Sequence, residues 1–259
     1  TWNGTAWTEV ADLNTARLEP GGAGTSSTSA LCTNGETPPY TQKTELWNGT
    51  SWAESADTAT AGRSQMAAAG TTTLGLVMGG IIPSLTAATE EFTDYSGTNP
   101  APDQTMLNQG QVWYNTDGNA LKYTALAAGA WASGGALNTA RNEVGNAGAS
   151  NSDALCFGGS VPPEKNETEK YDGTTWTEVN NLLTARRLID GFGATNTAAI
   201  CAGGYAPPGY TDAVEKWDGT SWTEVNNLQT AKGAGGSAGT QTAGLIFGGN
   251  PGPTATTEK

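Results

Sequence analysis

The sequence contains no histidine. This removes the commonest general base, the commonest metal ligand and the usual serine or cysteine triads. Basic residues are scarce too: 12 Lys and Arg stand against 25 Asp and Glu, a formal net charge of −13. No run of Lys or Arg interrupts that balance, so the electrostatic footprint that holds phosphates is missing and nucleic acid is not an expected partner. Apolar runs stay well short of the roughly 18–20 residues that span a bilayer, so no membrane insertion is expected. No basic-then-apolar leader opens the chain. It begins at Thr1 rather than Met, so a segment ahead of Thr1 is expected to have been removed or left out, and targeting information with it. There is no dinucleotide fingerprint, no phosphate loop and no calcium-loop pattern, and Asp117-Gly118-Asn119 is better read as a hairpin turn. No cofactor or metal is expected.

What the chain has in abundance is glycine, 36 of 259 residues, with 36% hydrophobic content and little charge. That suits an all-β protein with many tight turns and enough apolar surface for a core. A period of about 45 residues runs through it. Leu13-Asn14-Thr15-Ala16-Arg17, Leu137-Asn138-Thr139-Ala140-Arg141, Leu182-Leu183-Thr184-Ala185-Arg186 and Leu228-Gln229-Thr230-Ala231-Lys232 are copies, with Ala59-Thr60-Ala61-Gly62-Arg63 a degenerate fifth. Seven residues after each basic residue stands Gly24, Gly70, Gly148, Gly193 or Gly239. An apolar run follows, ending in Gly79-Gly80, Gly158-Gly159, Gly203-Gly204 or Gly248-Gly249, with Asn34-Gly35 in the first unit. After a Pro-containing loop come an acid and an aromatic two residues on: Glu45/Trp47, Glu90/Phe92, Glu169/Tyr171 and Glu215/Trp217. A turn such as Asn48-Gly49 or Asp172-Gly173 then leads to a second Trp, at Trp52, Trp176 or Trp222.

Each unit therefore predicts four short strands, a to d, with the Asn-Gly or Asp-Gly turn as a hairpin between c and d. Four strands repeated around a ring make the blades of a β-propeller. An apolar strand ending in Gly-Gly, then an aromatic and a Trp at fixed spacing, resembles the kelch repeat, and the resemblance covers nearly all of residues 1–259, taken as a single propeller domain. The fold expected is a five-bladed, kelch-like β-propeller. The last unit stops at Glu258-Lys259, where its outer strand should begin, and the chain opens with Trp2-Asn3-Gly4-Thr5-Ala6-Trp7-Thr8-Glu9-Val10, which has the sequence of that strand d. The ring is therefore expected to close by the N-terminal strand completing the last blade, which would remove an open sheet edge. A strand supplied by a neighbouring subunit has the same signature.

Residues shared by every blade are expected to serve the scaffold. Cys32, Cys156 and Cys201 occupy one repeat position, where other blades carry Val77 and Ile246, and are read as small buried hydrophobes rather than disulfide or zinc ligands. The acidic column Glu45, Glu90, Glu169, Glu215 and Glu258 is matched by Arg17, Arg63, Arg141, Arg186 and Lys232, which predicts one ion-pair clasp per blade rather than a catalytic pair in two unlike environments. Asn3-Gly4-Thr5 and Asn48-Gly49-Thr50 match the glycosylation acceptor pattern, yet their equivalents begin with Asp172 and Asp218, so the position calls for a turn former.

Two features break the symmetry. An insertion over residues 94–129 lengthens the c-to-d turn of the second blade. Within it Gly110–Tyr123 predicts a further hairpin, with Trp113, Tyr114 and Tyr123 as candidate assembly contacts. Its Gly-x-x-Trp-Tyr-Asn and Leu-Lys-Tyr wording resembles a segment recurrent in tailed-phage fibre proteins, and the low-charge blades are similar to those of environmental phage virion proteins. That resemblance implies a virion-surface or extracellular location and neighbouring virion subunits as partners; a decorative loop on an unrelated propeller is the alternative. The second feature is the set of Pro-containing b-to-c loops gathered on one face. Loops on a rigid scaffold are where recognition resides, and Tyr40, Lys165, Tyr205 and Tyr210 are the candidate ligand-binding residues, for a host surface glycan or protein. The expected function is non-catalytic, structural and receptor-binding. A sugar-binding propeller lectin is the alternative, and a carboxylate-based glycoside hydrolase is the enzyme class least excluded.

Overall fold

A computed structural model of the chain describes residues 1–94, 112–115, 120–123, 129–252 and 254–259. It is a five-bladed β-propeller. The blades are antiparallel sheets: Gly21–Ser26, Ser29–Thr33, Thr44–Trp47 and Trp52–Glu54 form the first, and Ala67–Gly70, Leu74–Met78, Thr89–Thr93 and Ala130–Ser133 the second. The third is Gly145–Ser150, Asp153–Phe157, Thr168–Tyr171 and Trp176–Val179. The fourth is Asp190–Thr195, Ala198–Ala202, Val214–Trp217 and Trp222–Val225, and the fifth is Gly236–Thr240, Ala243–Phe247 and Thr257–Glu258. In the insertion, Val112–Asn115 pairs antiparallel with Ala120–Tyr123, so the expected hairpin is there. The side chains of Trp113, Tyr114 and Tyr123, and most of the rest of residues 94–129, lie outside the described part of the structure.

One register recurs in every blade. Cys32, Val77, Cys156, Cys201 and Ile246 on strand b face Glu45, Glu90, Glu169, Glu215 and Glu258 on strand c. The three thiols are free and buried, and burial pushes Cys32 up to about 11 and Cys201 up to about 12. Both therefore stay protonated and unreactive at neutral pH. The glycine seven residues past each basic residue is forced by contact. A Cβ there would lie 2.5 Å from Ser29 O at Gly24, and 2.2 Å from Leu74 O at Gly70 and from Ala198 O at Gly193, inside the backbone of strand b.

The core lies in the seams between blades. One apolar cluster joins Leu31 of the first blade to Met66, Val77 and Phe92 of the second. Others join Leu76 and Met78 to Val144 and Tyr171, Leu155 and Phe157 to Leu182 and Trp217, and Ile200 and Val214 to Ile246. The c and d aromatics pair within the blade: Trp47–Trp52, Phe92–Trp131, Tyr171–Trp176 and Trp217–Trp222 have ring centroids 5.4, 5.1, 4.9 and 5.4 Å apart. Such tilted pairs bury large apolar area in a favourable ring geometry.

The N-terminal segment reaches the last blade, as expected, but by side chains. The Trp7 ring meets Phe247 edge-on at 4.8 Å, and its Nε1 donates to Thr257 Oγ1 at 3.4 Å. Trp2 pairs with Trp7 as Trp47 does with Trp52, so the segment is the end of a strand c turning into a strand d. Among the described residues the fifth sheet has three strands, and Trp7 contacts Phe247 and Thr257 by its side chain without joining their ladder.

Candidate functional site

The expected clasp forms in each blade. Arg17 pairs with Glu45, Arg63 with Glu90 at 2.8 Å, Arg141 with Glu169 at 2.8 Å, Arg186 with Glu215 at 2.6 Å and Lys232 with Glu258 at 3.0 Å. Each carboxylate also accepts from the backbone of the segment entering its blade: Asn14, Ala59, Asn138, Leu183 and Gln229 donate at 2.7–2.8 Å. Four of the pairs are almost wholly buried, and all five tie the incoming chain to strand c. These acids are structural. The c-to-d turns are closed similarly, Asp172 Oδ1 accepting from Thr174 and Thr175 N and Asp218 Oδ1 from Thr220 and Ser221 N. Those hydrogen bonds hold both carboxyls below the ordinary aspartate value.

The loop face is different. The residue after each clasp base bridges to the b-to-c loop: Leu18 to Glu36, Ser64 to Ile81, Asn142 to Ser160, Arg187 to Tyr205 and Gly233 to Asn250. The geometry is common to all blades, whereas the side chains are not. In the fourth blade the side chain is Arg187, and it is held by groups from two blades. Its Nη1 donates to Glu143 Oε2 at 2.7 Å, its Nε donates to Glu164 Oε1 at 3.2 Å, and its guanidinium carbon stands 4.8 Å from the Tyr205 ring centre. The hydrogen bond that Arg187 donates to Glu143, ahead of burial acting the other way and the charge of both carboxylates, raises the Arg187 pKa. Tyr205 meets Tyr210 edge-on, with centroids 5.5 Å apart, across the short pairing of Tyr205–Ala206 with Gly209–Tyr210.

The structure thus brings Tyr205 and Tyr210 together and sets Lys165 next in sequence to Glu164, with its Nζ 3.8 Å from Glu167 Oε1. Tyr40 belongs to the first blade, bridged to Glu36, and takes no part in this cluster. Sequence reasoning missed Arg187, Glu143 and Glu164. The signal was available: the position after the clasp base reads Leu18, Ser64, Asn142, Arg187 and Gly233, so Arg187 is the charged member of an otherwise uncharged column. Asp190 was missed in the same way, standing where other blades have Gly21, Ala67, Gly145 and Gly236. It is 3% exposed, accepts from Gly235 N at 2.9 Å, and burial pushes it up to about 6.

The arrangement offers two half-buried phenol rings, a guanidinium stacked on one of them and two carboxylates engaged by it. Such a patch can stack on flat apolar faces and hydrogen-bond polar rims. Among the described residues no group of three or more Asp, Glu or Cys is placed to hold a metal. Elsewhere, a shallow open depression of about 500 Å³ on the blade rim is lined by Glu178, Val179, Asn180, Trp217, Gly219 and Thr220, and brings no second acid beside Glu178.

No family model matches this sequence, and no curated protein does. Among solved structures, the one described as "Structure of YjhT" aligns with a TM-score of 0.48 and 11% identity, covering 96% of this chain and 95% of that one.

Proposed function

We propose that the protein is a non-catalytic recognition propeller, kelch-type in its blades, which presents the Arg187–Tyr205–Tyr210 patch to a host surface glycan or protein. It serves as a virion or other extracellular surface component, in keeping with the fibre-like wording of the insertion, and the hairpin carrying Trp113, Tyr114 and Tyr123 docks on a neighbouring virion subunit. One observation carries the reading. The fold repeats its ionic clasps and aromatic pairs in blade after blade, while the patch at Arg187 occurs once, on the loop face, with side chains fixed by contacts across two blades. Preorganised side chains lower the ordering cost of binding.

A lectin with one aromatic pocket per blade is less well supported, since the repeated aromatics are packed against each other inside the blades. A retaining or inverting glycosidase needs two carboxyls free to act on a sugar between them; Glu143 and Glu164 both engage Arg187 instead. The test is a glycan array together with adsorption to host cells. Replacing Tyr205, Tyr210, Lys165 and Tyr40 should abolish binding without unfolding the protein, and unchanged binding rejects the assignment. Deleting residues 94–129 should leave a folded propeller that no longer assembles, and normal assembly rejects the docking role.

A further inference from the structure

Four seams between blades are built alike. At each, the second glycine of the pair, or its equivalent, donates its amide to the clasp base of the next blade: Gly35 to Arg63 O, Gly80 to Arg141 O, Gly159 to Arg186 O and Gly204 to Lys232 O, at 2.8–3.1 Å. The glycine before it is pressed onto that same carbonyl, which would lie 2.5, 2.7 and 2.2 Å from a Cβ at Gly79, Gly158 and Gly203. Inner strands also touch through the fifth residue after the base: Asn146 Nδ2 donates to Ala68 O, and Ser237 Oγ to Gly191 O.

Among the described residues the seam from the fifth blade to the first has none of these. Among the described residues Gly249 N makes no bond to Arg17 O. Among the described residues a Cβ at Gly248 would find only Thr254 O at 3.8 Å, and one at Gly22, the counterpart of Gly191, only Leu31 O of its own blade at 3.9 Å. The inner strands Gly21–Ser26 and Gly236–Thr240 are largely exposed, whereas Ala67–Gly70 is buried throughout.

Trp7 explains what belongs there. In the regular blades the strand d Trp donates to the Thr that begins strand c of the preceding blade: Trp131 to Thr44, Trp176 to Thr89 and Trp222 to Thr168. Trp222 also packs edge-on against Phe157 of the preceding blade, at 4.9 Å. Trp7 donates to Thr257 and packs edge-on on Phe247. By that register it is the outer-strand Trp of a blade following the fifth, and the first blade already has Trp52 in that role. The geometry points to a sixth blade position between the fifth and first blades. This chain supplies the outer strand, and the seat takes a three-stranded meander of the same repeat type, entering as the continuation of the strand that Trp2 ends. Trp2 is already in the register that Tyr171 holds against Trp176, with Thr1 and Thr8 exchanging backbone bonds beside it at 2.6 and 2.8 Å.

Two measurements test this. In the unmodified protein, hydrogen exchange should find the Gly249 amide at least about 100-fold less protected than those of Gly80, Gly159 and Gly204; equal protection in the monomer means that the ring closes on itself and overturns the proposal. A concentration-dependent dimer that protects Gly249 assigns the seat to a second copy and also overturns it. The second measurement uses a fusion in which a copy of residues 141–170 replaces Thr1 and runs directly into Trp2. It should resist protease along its whole length, restore Gly249 protection to the level of Gly204, shield Trp7 from acrylamide quenching and raise the thermal midpoint by several degrees. A fusion trimmed back to Trp2, with Gly249 exchange unchanged, contradicts the proposal; where the fusion fails to fold, the exchange ratio in the unmodified protein decides.

Discussion

The clasp at Arg186 and the patch at Arg187 are neighbours in sequence and opposite in character. Arg186 is fully buried, pairs with Glu215, and has a counterpart in every blade. The Arg187 side chain is 30% exposed, pairs with acids of the third blade, and has no counterpart. One carries the scaffold's recurring need to pin an incoming chain to strand c. The other uses a position the scaffold leaves free. In a repeat fold, recurrence separates structure from specificity more sharply than residue type does, since both residues are arginines facing glutamates.

Breaking the clasp should have the largest effect. Arg186→Ala leaves Glu215 buried without its cation, and loss of one partner of a buried pair costs about 3–5 kcal/mol, so chemical denaturation should show a protein at the edge of folding. Gly193→Ala comes next. Its Cβ would lie 2.2 Å from Ala198 O, and overpacking against backbone costs roughly 1–3 kcal/mol, readable as a lower thermal midpoint.

Asp190 sharpens the comparison by being unique and yet buried. Its folded-state pKa, about 6, lies above the ordinary aspartate value. Protonation is therefore favoured by folding, so the group costs nothing below about pH 4, destabilises increasingly as pH rises from about 4 to 6, and exerts its full penalty above that range. Asp190→Asn keeps an acceptor for Gly235 N and should stabilise the protein by about 2 kcal/mol at pH 8, with little change at pH 4. A variant no more stable at pH 8 than the parent would show that the carboxyl is better solvated than its burial implies. Arg187→Ala should have the smallest effect on stability, within about 1 kcal/mol, as expected for a partly exposed ion pair.

Much of the fold was legible because each blade repeats the same sequence punctuation. The five bases, the glycines after them and the Asn-Gly or Asp-Gly turns locate the strands and the clasps without any tertiary information. The manner of closure was less legible. The wording of Trp2–Val10 identifies a strand d but not which sheet it serves, because every blade uses the same words; only the contacts of Trp7 with Thr257 and Phe247 distinguish the two. The site was half legible. Tyr205 and Tyr210 stand out as loop aromatics, whereas Arg187, Glu143 and Glu164 come from separate positions that meet only when the third and fourth blades pack.

The most direct test sets Tyr205→Ala/Tyr210→Ala beside the parent protein, comparing thermal midpoint with binding on a glycan array and on host cells. The midpoint should stay within about 3 °C, equivalent to about 1 kcal/mol for a chain of this size, while binding falls at least tenfold. Full binding by a folded double variant would contradict it.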